Sequence, residues 1–259
     1  MKKLTDEERG KYVQEIILPA FQWMLKSDSF TTLFSADAKI LFITEKSAAS
    51  IAIDSADKCI GMSYATPLEE YIVGLKEKYG LDEDNILGAC AKIYQTQLLA
   101  INNKKSVSYI DMIPYAGQFH GYLCILTPIL HPNGEVVALL ANSVKHYLFG
   151  LHEFISAANA DNIPALNSLT AENLEINLSK RQHEILFLIC NGFSQEIVAQ
   201  MLKVTRGTIA KTISTQICPK FNLVNDSARL IDLARQMKLH QKIPQSLWRQ
   251  YIVTLEDDS

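Results

Sequence analysis

The sequence predicts an α+β protein of two domains: an antiparallel sheet with helices, followed by an all-α domain of four short helices. Three observations carry this. The hydrophobic period switches between helical and alternating before residue 143, capped and sharply punctuated helices follow from Ser179, and a polar stretch with one proline (159–177) separates the two. A chain of 259 residues, 48% hydrophobic and 20% charged, is long enough for two modest domains.

Asp6 to Lys26 sets Tyr12, Val13, Ile16, Ile17, Ala20, Phe21 and Met24 on one helical face, with Pro19 expected to kink or divide the helix. TTLFSA and KILFIT, separated by Asp37-Ala38, read as a hairpin. Glu45 to Ile53 reads as a short helix and Lys58 to Pro67 as an irregular segment around Gly61. Leu68 to Asn102 is mostly helical, with Ile86, Leu87, Cys90, Ile93, Tyr94, Gln97, Leu98 and Ile101 at 3.6 spacing. Ser106–Ile113, His120–Ile129 and Val136–Asn142 then read as strands, the last two joined by the turn His131-Pro132-Asn133-Gly134. This three-strand meander must close against the first hairpin to bury its apolar face. Phe34, Phe42, Tyr109 and Tyr122 are expected in the core, and an amphipathic helix is expected from Lys145 to Ala160.

TTLFSADAKILFITEKSAASI, KCIGMSY and GYLCILTPILHPNGEVVALLANS resemble the PAS family of sensor domains over roughly Asp28 to Asn142. The helical region between Leu68 and Asn102 is longer than the usual PAS core. The resemblance implies a domain that senses a signal or dimerises. A small-molecule ligand is compatible with it, but no cofactor motif is present, and His120, His146 and His152 read as structural or surface residues rather than haem ligands.

In the C-terminal part, Ser179 is a helix N-cap with Gln182 completing a capping box, and the helix runs to Asn191-Gly192. Ser194 caps a second helix to Leu202, and Thr205 a third from Arg206 to about Ile217, ended by Pro219. On the third helix Ile209, Ile213 and Ile217 face the core, and Gly207, Lys211, Ser214 and Thr215 face outward. A small, hydroxylic and cationic face can approach phosphates and base edges closely. Residues 178–249 carry 11 basic against 4 acidic side chains, and residues 1–177 carry 14 against 21, so the chain's net charge of −3 conceals a basic C-terminal end that attracts a polyanion.

LSKRQHEIL (178–186), GFSQEIVAQML (192–202), VTRGTI (204–209) and KFNLVNDSARLIDLA (220–234) resemble the LuxR-type helix-turn-helix family. The resemblance implies that the third helix enters the major groove and that the fourth mediates dimerisation. With the face reasoning it marks Ser194, Gln195, Thr205, Arg206, Gly207, Thr208, Lys211, Thr212, Thr215 and Lys220 as DNA-binding. Three departures stand out. Ala210 replaces a usual lysine, Ile197 a usual glutamate, and one extra residue lies between Thr212 and Lys220.

The expected organisation is an N-terminal helix (1–27), a PAS-like domain (28–143), a connecting helix and linker (144–176), and a LuxR-type helix-turn-helix domain with a C-terminal extension (177–259). The implied protein is a homodimeric transcription regulator that binds double-stranded promoter DNA and contacts RNA polymerase. The alternative is a degenerate helix-turn-helix that docks on another regulator or on polymerase. No GxSxG, HExxH or phosphate loop supports an enzyme. Cys59, Cys90, Cys124, Cys190 and Cys218 lack the spacing of a disulfide or zinc framework. The absence of a long apolar run or signal-peptide pattern predicts a cytoplasmic protein without a membrane partner.

Overall fold

The computed structural model describes residues 3–115, 118–146 and 176–255. Among them the chain forms two units, one of residues 3–115, 120–146 and 249–255 and one of residues 118–119 and 176–248.

In the first unit Thr5 caps α1 (Asp6–Tyr12) through a capping box with Glu8. The helix widens into a π turn, Val13–Ile17, and resumes as α2 (Leu18–Phe21) with Pro19 in its first turn. Pro19 has no N–H to donate, and the π turn absorbs the mismatch one turn earlier than the break expected at the proline itself. β1 (Phe30–Ser35) and β2 (Ile40–Ile43) form the expected hairpin, with Ala38 at φ 59° in its turn. α3 (Glu45–Ser50) follows. The long helical stretch is two helices, α4 (Glu69–Tyr79) and α5 (Glu83–Asn103). Gly80, left-handed at φ 64°, ends α4, and the Asp82 carboxylate accepts from Asn85 N at 2.8 Å to start α5.

The meander is β3 (Val107–Tyr115), β4 (Gln118–Leu130) and β5 (Val136–His146). β5 outruns its expected end at Asn142: Lys145 lies opposite Tyr122 and His146 opposite Gly121. The helix expected from Lys145 therefore does not begin there, because the long β4 offers backbone partners that keep the segment extended. The rest of that helix, the remainder of the 144–176 link and His152 lie outside the described residues.

The sheet order is β2-β1-β5-β4-β3-β6, and β1 pairs antiparallel with β5 from Phe30↔Ser143 to Ser35↔Ala138. The sixth strand, β6 (Tyr251–Leu255), corrects the domain reading. Expected as an extension of the C-terminal domain, it runs antiparallel along β3 from Met112↔Tyr251 to Ser108↔Leu255. Its β-branched run meets an unpaired edge, Ile252 turns into the core, and Thr254 Oγ1 lies 3.2 Å from Thr96 Oγ1.

Both sheet faces are covered. Phe34, Ile40, Tyr71, Leu75, Ile86, Ile93, Leu126 and Leu139 form the core beneath α3–α5, and Ile17, Leu33, Phe42 and Ala138 pack on the opposite face beneath the N-terminal helices. Adjacent Leu33 and Phe34 are thus both buried, as in a strand sandwiched between helical layers.

The second unit contains α6 (Lys180–Cys190), α7 (Gln195–Met201), α8 (Arg206–Thr212) and α9 (Ser227–Gln236). Ile185, Leu188, Val198, Ile209, Ile213, Ile217, Phe221 and Leu230 form its core. Arg235 on α9 donates from Nε and Nη2 to the Cys190 carbonyl at 3.1 and 2.8 Å, closing the C-terminus of α6. All five cysteines are free and buried, three in the first core and two in the second.

Gln97 on α5 is fully buried with both side-chain amide atoms lacking a hydrogen-bond partner. Gln97→Met fills the same volume without an orphaned amide. It should stabilise the first unit by about 1–3 kcal/mol, read as a higher midpoint in an equilibrium urea titration of the full chain.

Candidate nucleic-acid interface and core cavity

The second unit builds its surface from three capped helices. The Ser179 hydroxyl accepts from Gln182 N while Gln182 Oε1 accepts from Ser179 N at 3.0 Å, so the predicted capping box is present. Ser194 accepts from Ile197 N at 3.3 Å and Thr205 from Thr208 N at 3.1 Å. Between α7 and α8 the turn is tight: Lys203 is left-handed at φ 54°, and Val204 N donates to the Ala199 carbonyl at 2.9 Å. This turn and the shared burial of Val198, Ala199 and Ile209 hold the two helices as a helix-turn-helix.

The extra residue has a structural answer. α8 does not stop at Thr212 but widens into a π turn, Ile213–Ile217, and then tightens into a 3₁₀ turn, Cys218–Phe221. A π turn is how a helix accommodates one inserted residue without breaking. Pro219 sits in the first turn of the 3₁₀ segment rather than ending the helix, which closes at Asn222 in the left-handed region.

Of the ten residues marked from sequence, eight lie on the surface as expected or at its edge. Arg206, Gly207, Thr208 and Lys211 are exposed on the first two turns of α8, with Thr205 at its cap and Thr215 one turn further. Ser194 is exposed at the start of α7 and Gln195 is half-buried beside it. A Cβ at Gly207 would meet only Thr205 Oγ1, at 3.8 Å, so the surface there is open. Two residues differ. Thr212 is buried and its hydroxyl donates to the Thr208 carbonyl at 2.8 Å, which removes it from the surface, since at this point the chain turns inward with Ile213. Lys220, though exposed, donates to the Asn177 carbonyl and so is tied to the start of the unit. Sequence reasoning missed Glu196: its carboxylate lies 3.1 Å from Arg206 Nε, both side chains being well exposed.

In the first unit the core beneath α3–α5 is incomplete. A cavity of about 80 Å³ opens between β1, β3, β4, β5 and the helices, walled by Phe34, Tyr64, Tyr71, Tyr109 and Tyr122 with Asp111 and Gln250. Asp111 occupies an inward phase of β3 between Tyr109 and Ile113. Burial pushes its carboxyl up to about 7, against the opposing hydrogen bond from Gln250. Gln250 Nε2 donates to Asp111 Oδ1 at 2.8 Å, while Gln250 Oε1 is buried without a partner. Desolvation likewise raises the Cys90 thiol to about 11 and the Cys124 thiol to about 12. A larger groove of about 920 Å³ beside α1 is open, with Arg9 lying 3.4 Å from Glu135 on its wall. Neither Asp111 nor Gln250 was singled out from sequence. The available signal was an acidic residue in the apolar phase of a strand.

Among the described residues no group of three or more His, Cys, Asp or Glu could hold a metal, and no helix is long and apolar enough to cross a membrane.

The fold is therefore a PAS-like antiparallel sheet with helices, joined to an all-α helix-turn-helix unit. Two solved structures share it across nearly the whole chain. VqmA from Vibrio cholerae, in a complex with ligand and DNA, matches with TM-score 0.60 at 18% identity, covering 95% of this chain and 100% of that one. A phage VqmA in complex with DPO matches with TM-score 0.61 at 16% identity, covering 95% and 99%. At such identity the likeness is one of fold. No family model and no curated protein matches the chain.

The buried carboxyl gives stability a defined pH dependence. Unfolded Asp111 ionises near the ordinary aspartate value of 3.8 and the folded group near 7, so between these the folded state holds the extra proton and stability falls as pH rises. Asp111→Asn, which keeps an oxygen for Gln250, should be more stable than the parent at pH 8. The advantage should shrink by about 1.4 kcal/mol per pH unit between 7 and 4 and vanish below, in urea titrations across that range.

Proposed function

We propose that the protein is a ligand-responsive transcription regulator whose helix-turn-helix binds promoter DNA as a homodimer. The observation that carries this is the exposed face of α8. Arg206 and Lys211 stand beside Thr205, Gly207, Thr208 and Thr215 on a helix whose opposite face is locked by Ile209, Ile213 and Ile217. Cations and hydroxyls at the start of such a helix suit the major groove, phosphates fixing position and the first turn reading bases. Ser194 and Gln195 at the start of α7 add a second contact line to the backbone. The DNA and ligand complexes of the two VqmA proteins support the same assignment for this fold. Such a regulator works in the cytoplasm, beside RNA polymerase on the promoter.

The PAS-like cavity supplies the sensing half. Its lining of aromatic rings with a few converging polar groups is that of a small-molecule site, and at about 80 Å³ it takes a compact ring only as the walls give way.

Fluorescence anisotropy against promoter fragments is the test. The affinity should fall steeply between 50 and 200 mM salt, by a factor on the order of 10³ for a dimer making six or more phosphate contacts. Arg206→Ala with Lys211→Ala should weaken binding by about 100-fold and flatten the salt slope, each contact contributing 1–3 kcal/mol. Salt-insensitive binding, or an unaltered double variant, would sink the assignment.

The Glu196–Arg206 pair allows a second measurement. An exposed pair of this kind contributes little to folding, roughly 0–1 kcal/mol, yet it partly neutralises the arginine. Glu196→Gln should leave the melting temperature within a few degrees of the parent and tighten DNA binding several-fold in the same anisotropy assay.

A further inference from the structure

The cavity is closed on one side by the end of the chain. Gln250 immediately precedes β6, its backbone N–H donates to Asn85 Oδ1 at 2.8 Å, and its side chain lies on the cavity wall against Asp111. One acceptor there is buried and unmatched, and a second is only half used. Gln250 Oε1 has no partner although the residue is 6% exposed, and Asp111 uses only Oδ1 toward Gln250. A buried acceptor without a donor is costly, and a cavity with room for more than a water provides the place for one.

The strand that follows Gln250 is short and lies at the edge of the sheet. β6 has five residues, buries Ile252 alone, and leaves Val253 and Leu255 about half exposed. Besides its ladder to β3 it is held by the Asn85, Asp111 and Thr96 side chains. Short edge strands with little apolar burial belong to the low-stability end of a fold, where one added contact shifts the population. The chain passes from the helix-turn-helix unit into the first unit at the Trp248–Arg249 peptide, two residues before β6.

We propose that Gln250 is a ligand-contacting residue of the cavity. A compact, flat, mostly apolar molecule with adjacent N–H or O–H donors bridges Asp111 and Gln250, and so latches β6, the strand directly continuous with the helix-turn-helix unit. The aromatic walls select a flat ring and the two acceptors select its donor edge. A ligand that touched only β1, β4 and β5 would bind without altering the strand, whereas one that also bonds Gln250 binds the docked state preferentially. This latch rests on the sensing reading of the same cavity.

The full chain can be tested with 2-aminopyridine, a flat ring with a donor edge, and with toluene, its donor-free counterpart, by hydrogen exchange read by mass spectrometry. 2-Aminopyridine should slow exchange of the 251–255 amides by about tenfold or more, and toluene should not. In Gln250→Met the probe should still protect the β4 and β5 amides around the cavity while the effect on 251–255 disappears. At pH 8, where the carboxyl is ionised, Asp111→Asn, which retains the bond from Gln250, should weaken 2-aminopyridine binding about tenfold by calorimetry, through loss of a charged acceptor. If the probe protects β4 and β5 but never 251–255, or acts equally on Gln250→Met, the latch is wrong and the sensing cavity stands. If neither probe protects any cavity strand, both are overturned.

Discussion

The antiparallel pairing of β1 with β5 is the constraint on which the first unit depends. The β1–β2 hairpin is too small to stand alone, and the β3–β4–β5 meander has an apolar face with nothing of its own to cover it. Registered from Phe30↔Ser143 to Ser35↔Ala138, the two become one sheet, with Leu33 opposite Leu140 and Phe34 opposite Leu139. Only then do α3–α5, inserted between the two halves in sequence, have a continuous surface to pack on. The cavity follows from the same pairing, for Thr32 and Phe34 of β1 and Ala141 and Ser143 of β5 form its floor.

The two units treat their polar groups differently. In the helix-turn-helix unit Ser179, Ser194, Thr205 and Asp226 each accept from a backbone N–H at a helix start, and Arg235 and Asn191 close the end of α6. Local preference and tertiary packing agree there, which is the condition for a rigid scaffold that presents a surface. The first unit leaves several atoms unmatched, among them Arg9 Nε, both amide atoms of Gln97 and Oε1 of Gln250, and it holds a carboxyl in a mostly apolar wall. Such conflicts concentrate where a fold exchanges stability for recognition.

The parts legible in the sequence are those that local chemistry determines. Caps three residues from their donors announced α6–α8, the four-residue steps of isoleucine gave the inward face of α8, and His131-Pro132-Asn133-Gly134 made the β4–β5 turn with Gly134 at φ 82°. What was missed depends on distant partners. β6 is a strand because β3 has a free edge far back in the chain. β5 runs to His146 because β4 is long. Glu196 matters because the turn brings α7 and α8 together. Asp111 lay in plain view, but its meaning required knowing which face of β3 points at the cavity. Thr212 failed for a subtler reason: a polar side chain can sit on a buried turn if its hydroxyl bonds back to the preceding carbonyl, and composition does not register that.

The π turn after α8 bears on whether the helix-turn-helix is intact or degenerate. In a straight α-helix residues four apart drift by about 40° around the axis at each step, so Ile209, Ile213 and Ile217 would wind off the core. The wider π turn drifts the opposite way, and Ile209, Ile213 and Ile217 all remain essentially buried. The inserted residue is absorbed downstream of Thr212, and the turns bearing Arg206, Gly207, Thr208 and Lys211 keep ordinary helical geometry and full exposure. Ala210 is exposed beside Lys211, so a cation remains on that turn, displaced by one position around the helix. A decaying domain would lose its caps and core first. Here both are complete, and the departures fall on the helix's far end, on the angle of one cation and on exposed Ile197 of α7, so the scaffold that presents the outward face of α8 is intact.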